Sequence, residues 1–68
     1  MKLHYDVDTD SLYIELRAVP SADAQEVAED VVLDLDETGR LVGMDIQHAS
    51  RHLDLATLET HALPVTPR

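Results

Sequence analysis

A regular alternation of apolar and polar side chains over the first two thirds of the chain limits what it can fold into. The run 12–17 is the clearest, with an apolar leucine or isoleucine at every second position, and the runs 2–6, 31–36 and 40–47 have the same period. Successive side chains of a β-strand point to opposite faces, so this period predicts strands with one apolar face and one wet face. The alternation therefore predicts an antiparallel sheet.

Turn-forming residues separate these runs. The segment 6–11 is rich in Asp and Ser, whose side chains satisfy nearby backbone groups in turns, and Gly39 closes an acidic turn after the third run. Pro20 and Ser21 mark another break, because proline has no amide proton to donate within a strand. Short connections place consecutive strands side by side, and we expect a meander of four to five strands.

One segment and one glycine give weaker signals of secondary structure. The segment Ala24–Ala28 contains alanine and glutamate, which also favour helix, but its alternating charges suit a sheet edge. We interpret it as a short edge strand. Gly43, inside a predicted strand, indicates a bulge or a close approach of another group to the backbone.

The period changes after the last predicted strand. Apolar residues recur at helical spacing from position 49 onward, which predicts a helix from His48 to Ala62 packed on the apolar face of the sheet. A short helix that restarts near Asp54 is the alternative. Prolines then stop the helix. We expect one α+β domain over residues 1–63 and a disordered tail over 64–68.

The composition provides few large aromatic side chains for a hydrophobic core. The chain has 68 residues, two tyrosines and no tryptophan, phenylalanine or cysteine. A domain of this size buries only about 60% of its unfolded surface, and without cysteine it has no disulfide to reinforce it. We therefore expect self-association, most simply as a homodimer.

The charge is strongly negative. Fourteen Asp and Glu residues against five Lys and Arg give a formal net charge of −9. Nucleic acids and anionic membranes are bound by clustered basic residues, so this balance argues against both partners. The N-terminal residues do not form a signal peptide and no apolar run approaches the roughly 20 residues of a membrane span, so the expected location is the cytoplasm.

Asp6, Asp8 and Asp10 alternate as they do at the start of a calcium-binding loop. Such a loop requires a glycine where Ser11 stands and a bidentate glutamate where Arg17 stands. Because both are missing, we interpret the segment as a solvated hairpin turn.

His48 and His52 stand one helical turn apart, so both rings could reach one metal ion, with Asp45 or His4 as a further ligand. No glutamate flanks them in the pattern typical of metalloproteases. Two histidines on a helix surface are the simpler interpretation, and we predict no metal-binding or cofactor-binding residues.

Ser11, Ser21 and Ser50 are the serine candidates for a nucleophile, and none stands in the strand–turn–helix motif of a hydrolase. Ser50 is interpreted as a residue of the first helical turn that bonds backbone amides. A small sheet with one helix rarely encloses a pocket that excludes water, so we predict no catalytic residues and no enzyme activity.

Tyr13 stands on the wet face of its predicted strand. It either contributes to a binding surface or covers a neighbouring side chain such as Tyr5, Val32 or Leu41. Burial in a homodimer interface is a further alternative.

Two stretches are more specific than strand patterning alone. One is Tyr5–Asp6 followed by Asp10–Leu16, and the other is Gly39–Ile46 leading to Ala49–Ser50. Over residues 2–53 they resemble a small prokaryotic family named domain of unknown function 2283. The resemblance implies a compact α+β domain with an antiparallel sheet and brings no catalytic motif. Members are sometimes encoded beside small toxin-like proteins, which suggests an antitoxin or partner-binding role.

Three hypotheses of function follow from these observations. The first is a noncatalytic interaction module whose acidic surface binds a small basic protein in an antitoxin-like role, since high charge speeds encounter with an oppositely charged partner. The alternative is a self-assembling structural or regulatory homodimer domain. The third is a small metal-binding protein that uses His48 and His52.

Overall fold

The computed structural model describes residues 1–64, which form one five-stranded sheet and one short helix. The elements are β1 (Lys2–Asp6), β2 (Ser11–Glu15), β3 (Asp23–Ala28), β4 (Val31–Leu35), β5 (Leu41–Ile46) and α1 (Ala49–His52). All strand pairs in the sheet are antiparallel. The predicted α+β class with an antiparallel sheet is confirmed.

The strands do not cross the sheet in chain order. Their order is β1-β2-β5-β4-β3, so β2 pairs with β5, and the predicted simple meander is wrong at this one step. The reason is the connection 16–22, which is too long for a tight turn and contains Pro20. Its residues can span up to about 23 Å, whereas β3 lies three strand spacings, about 14 Å, from β2.

Backbone hydrogen bonds hold this connection at one end of the sheet. The amides of Leu16 and Arg17 donate to the carbonyl of Val42 at 2.8 and 3.1 Å. The amide of Ala22 donates to the carbonyl of Leu35 at 2.8 Å. The chain therefore passes β5 and β4 before it enters β3.

The pairing register assigns strand residues to two faces. One side, here called the apolar face, carries Leu3, Tyr5, Leu12, Ile14, Leu33, Leu35, Met44 and Ile46. The other side, here called the polar face, carries Lys2, His4, Tyr13, Glu15, Glu26, Val32, Asp34 and Asp45.

Burial is concentrated where the apolar face meets α1. Leu12, Ile46 and Ala49 form the buried cluster, and Ile14 packs against it. Val42 is buried as well, near the end of the sheet that the connection crosses. The predicted contact between the helix and the apolar face is therefore present, but it is small.

The predicted helix over His48–Ala62 is wrong in its length, because α1 ends at His52 and Leu53 is extended with φ −132° and ψ 149°. The segment that follows has no regular structure, and near Asp54 a single turn closes as the Thr57 amide donates to its carbonyl at 3.3 Å. Isolated helices of this length are marginal unless packing supports them, and here the residues after Leu53 form a single turn and irregular structure beside β1 and β2.

Of the predicted tail 64–68, Pro64 has no regular structure and residues 65–68 lie outside the described residues. The edge strand predicted at Ala24–Ala28 is confirmed as β3, whose pairing with β4 is irregular between Glu26 and Ala28. No helix within residues 1–64 is long and apolar enough to cross a membrane.

Candidate functional site

Tyr13 occupies the centre of the polar face. Its hydroxyl donates a hydrogen bond to Asp34 Oδ2 at 2.8 Å, although the two residues stand on strands separated by β5. The ring crosses β5 at Gly43, where an added Cβ would overlap the Tyr13 hydroxyl and lie 2.7 Å from Cζ. Gly43 therefore marks a close approach to the backbone, as its place in the strand predicted.

Carboxylates surround this tyrosine. Asp45 is its cross-strand partner on β5, and Glu15 follows it on the same face of β2. The hydrogen bond to Asp34, together with burial and the negative charges of Asp34, Glu15 and Asp45, raises the pKa of Tyr13 to about 12. The phenol therefore stays neutral and donates its proton to a carboxylate.

The position of Tyr13 on the polar face is as predicted. Of the three residues it was expected to cover, Tyr5 is excluded, because the register places Tyr5 on the apolar face. Val32 lies on the same face, opposite Asp45. The tyrosine covers Gly43 and is held by Asp34.

The polar face is acidic across its middle strands. One row of paired residues runs from His4 through Tyr13, Asp45 and Val32 to Glu26. The adjacent row contains Lys2, Glu15, Gly43, Asp34 and Ala24. We call the four carboxylates Glu15, Glu26, Asp34 and Asp45, with Tyr13 among them, the acidic face. Lys2, on the edge strand β1, is the only Lys or Arg in the five strands.

Arg17 lies at the end of the sheet and is already paired. Its Nη2 donates to Asp36 Oδ2 at 2.7 Å and its Nε donates to the carbonyl of Leu41 at 2.9 Å. Hydrogen bonds from Thr38 and Arg17 hold the pKa of Asp36 well below its usual range. The pair joins the connection 16–22 to the turn between β4 and β5, so Arg17 does not pair with a carboxylate of the acidic face.

A second cluster joins the first hairpin turn to α1 through Asp10. The Ser50 hydroxyl donates to Asp10 Oδ2 at 2.6 Å, the Ser50 amide lies 3.2 Å from both carboxylate oxygens, and the Tyr5 hydroxyl donates to Oδ1 at 2.7 Å. The backbone adds a bond, from the Ala49 amide to the Asp10 carbonyl at 2.8 Å. Asp10 itself has φ 54°, a conformation that aspartate tolerates better than most residues.

These contacts shift the pKa values of Asp10 and Tyr5. Hydrogen bonds from Ser50 and then Tyr5 lower the pKa of Asp10, while the bond to Asp10 raises the pKa of Tyr5. Ser50 lies in the first turn of α1 as predicted, but its hydroxyl bonds the Asp10 side chain instead of a helix amide.

The Asp-rich turn also differs from a calcium loop in what its carboxylates contact. Asp6 Oδ1 accepts from the Asp8 amide at 3.0 Å, a local turn bond, while Asp10 is engaged with Tyr5 and Ser50. The interpretation as a hairpin turn is confirmed.

His48 and His52 converge on Asp30 at the turn between β3 and β4. His48 Nδ1 lies 3.1 Å and His52 Nε2 lies 3.0 Å from the same oxygen, Asp30 Oδ2. His52 and then His48 lower the pKa of Asp30 through these hydrogen bonds. The Asp30 carbonyl also accepts from the Gln47 amide at 2.8 Å, so the cluster ties α1 to the β3–β4 turn.

The ligands suggested with this histidine pair lie elsewhere. His4 and Asp45 are both on the polar face of the sheet. Within residues 1–64, no group of three or more His, Asp or Glu side chains is arranged to hold a metal ion. The spacing of the two histidines correctly predicts that they are neighbours, but it does not point to Asp30. The one sequence signal at Asp30 is its place in a short turn, where the structure gives it φ 67°.

An open apolar groove runs beside α1. It has a volume of about 700 Å³ and lies between side chains of β1 and β2 and the segment 53–59. Leu3, Tyr5, Leu12, Ile14, Leu53, Leu55 and Leu58 line it. The groove shows that the C-terminal segment covers the β1–β2 half of the apolar face loosely.

The residues that resemble the family meet in these contacts. Tyr5 and Asp10 of the first stretch reach Ser50 of the second, and Tyr13 lies on Gly43. No curated protein and no solved structure matches the chain. The family described as "protein of unknown function (DUF2283)" matches residues 2–50 of the 68, and the chain belongs to that family.

Proposed function

We propose that this domain is a noncatalytic protein-interaction module whose acidic face binds a small basic protein. The observation that carries the proposal is the placement of Glu15, Asp34 and Asp45 around Tyr13 on a sheet face. A flat surface of one sign raises the encounter rate of an oppositely charged partner, by roughly 10- to 1000-fold in strongly steered pairs.

Within residues 1–64, no Lys or Arg side chain forms a salt bridge with a carboxylate of this surface. Lys2 stands opposite Glu15 on the edge strand β1 without forming a salt bridge with it, and Arg17 pairs with Asp36 at the end of the sheet. A partner that presents Lys or Arg side chains therefore meets carboxylates of the acidic face that lack a pairing cation in the described structure.

Tyr13 gives the surface a rigid aromatic centre. Its ring rests on Gly43 and its hydroxyl is fixed by Asp34, so little conformational freedom is left to lose on binding. An Arg or Lys side chain of a partner can stack on such a ring while neighbouring carboxylates take its charge. This combination favours a basic protein over a small cation.

The polar clusters elsewhere support a noncatalytic role. Asp10 is occupied by Ser50 and Tyr5, and Asp30 by two histidines. Each cluster joins one element of the fold to another, so its polar side chains have a structural role. The partner we propose is a basic toxin-like protein met in the cytoplasm, with this domain acting as its antitoxin-like ligand.

A matched pair of variants tests the proposal. Glu26→Gln with Asp45→Asn removes two charges from the acidic face, and Asp8→Asn with Glu37→Gln removes two charges from exposed turns away from it. Each purified protein is mixed with the basic products of the neighbouring genes, and association rates are measured at low and high salt.

We expect the first variant to slow association about tenfold at low salt and the second to slow it much less, because steering depends on local potential. Rates should also fall steeply with added salt. An equal loss in both variants, or binding that does not depend on salt, contradicts the proposal.

A further inference from the structure

We infer that the open half of the apolar face packs against the same surface of a second copy of this chain. This open half is formed by Leu33, Leu35 and Met44 on β4 and β5, which are half-buried and point away from the acidic face. The inference concerns the opposite side of the sheet from the proposed partner site and does not rest on it.

The buried cluster is small for a folded domain. Leu12, Ile46 and Ala49 are covered by one another near α1, together with Ile14. The groove formed by the segment 53–59 lies against β1 and β2 and does not reach β4. No residue of β4 belongs to the buried cluster and its apolar side chains are only half-buried, whereas domains are normally built from at least two packed layers.

The dimensions of the molecule show the same deficit. Its accessible surface is 5558 Å², against about 4,300 Å² expected for a compact monomer of this mass. Its radius of gyration is 13.2 Å, against about 11 Å expected for this length. The shortest dimension is 19 Å. The molecule is therefore flatter and less compact than a globular monomer of this length.

The excess surface is large enough for a dimer interface. It amounts to about 1,250 Å² over the whole chain, and a standard interface buries about 800 Å² on each partner. A second copy is the occupant that fits, since an aliphatic sheet face of this kind is complementary to itself. Two such faces packed about 10 Å apart close a sandwich core around a two-fold axis.

Neighbouring residues on opposite faces provide matched controls. Leu33→Glu places a charge on the open half, and Val32→Glu places the same charge on the polar face of the same strand. Both positions are half-buried. Sedimentation equilibrium of the wild-type chain should show a dimer at micromolar concentration. We expect Leu33→Glu to raise the dimer dissociation constant at least tenfold and Val32→Glu to leave it nearly unchanged.

A second measurement tests the inference even if either variant fails to fold. Because the chain has no cysteine, a spin label can be attached at one introduced site. Gln25→Cys lies at an exposed position on the apolar side of β3, and Glu26→Cys lies next to it on the polar side. In a face-to-face dimer the two labels at position 25 must be closer together than the two labels at position 26.

Each outcome decides the inference. A shorter distance at position 25, together with the effect of Leu33→Glu, supports it. A wild-type chain that remains monomeric at all micromolar concentrations overturns it, and so does a shorter distance at position 26. All of these measurements use the chain alone, so they are independent of whether a basic partner binds.

Discussion

The Tyr13 hydroxyl donates to Asp34 across an intervening strand, at a position where that strand has no side chain. The bond measures 2.8 Å and spans β2 to β4, with Gly43 of β5 beneath the ring. This one contact braces three strands of the sheet and fixes the aromatic centre of the acidic face. It also explains why a glycine stands inside a central strand, where glycine is otherwise unfavourable.

Gly43→Ala should destabilise the domain by about 2 kcal/mol, as overpacking typically does. The added methyl group would overlap the Tyr13 hydroxyl and lie 2.8 Å from the carbonyl oxygen of Ile14, which is backbone and cannot turn aside. Urea unfolding measures the change. Combining it with Tyr13→Ala should recover only part of the loss, because the contact with Ile14 remains.

Tyr13→Phe should lower the free energy of unfolding by about 1 kcal/mol, since it removes one hydrogen bond to a carboxylate at a half-exposed site. In the wild-type chain Tyr13 should titrate near its raised pKa of about 12, which the nuclear magnetic resonance signals of its ring can follow separately from those of Tyr5. In an Asp34→Asn variant that pKa should fall. An unchanged pKa in this variant would show that Asp34 does not hold the phenol.

Asp10→Asn should destabilise the domain at neutral pH and make its stability less sensitive to acid. The pKa of Asp10 is lowered in the folded state by Ser50 and Tyr5, so its contribution is present above the unfolded pKa, about 3.9. That contribution is lost as the pH falls through the folded value. Thermal unfolding at a series of pH values tests this. Asp8→Asn, in the same turn, is the control and should keep the wild-type acid profile.

Asp30→Ala should loosen α1 from the β3–β4 turn. Both His48 and His52 lose their shared acceptor, so the side-chain hydrogen bonds that still hold the short helix are those between Ser50 and Asp10. Hydrogen exchange should become faster at the Leu53 amide, which closes the helix on the Ala49 carbonyl at 2.9 Å. The Gly39 amide, in the distant β4–β5 turn, should exchange as before. Equal acceleration at both amides would mean a global loss of stability and contradict the local role.

The sheet could be predicted from the sequence because the alternation of side chains reports directly which residues share a face. That signal is local, and it placed Tyr13 on the polar face without knowledge of the strand order. Asp34 could not be assigned to Tyr13, since the contact spans 21 residues and depends on β5 lying between their strands. Periodicity within a strand holds no information about which strand comes next to it.

The end of the chain was harder to predict for a different reason. Leu53, Leu55 and Leu58 fit a helical stripe, but Leu53 and Leu55 also fit an extended segment. In the structure Leu53 is extended, the chain turns at residues 54–57, and the segment 53–59 lines the apolar groove. Tertiary contact with the sheet decides between two patterns that the residues satisfy about equally.

The central claim is that the acidic face, and not the apolar face, receives a basic protein. Its most direct test is to titrate the isotope-labelled domain with the basic partner and follow side-chain signals by nuclear magnetic resonance. We expect the signals of the Tyr13 ring and of the carboxyl carbons of Glu15 and Asp45 to shift first and most. Shifts confined to Leu53, Leu55 and the other residues of the apolar groove, with the Tyr13 ring unchanged, would contradict it.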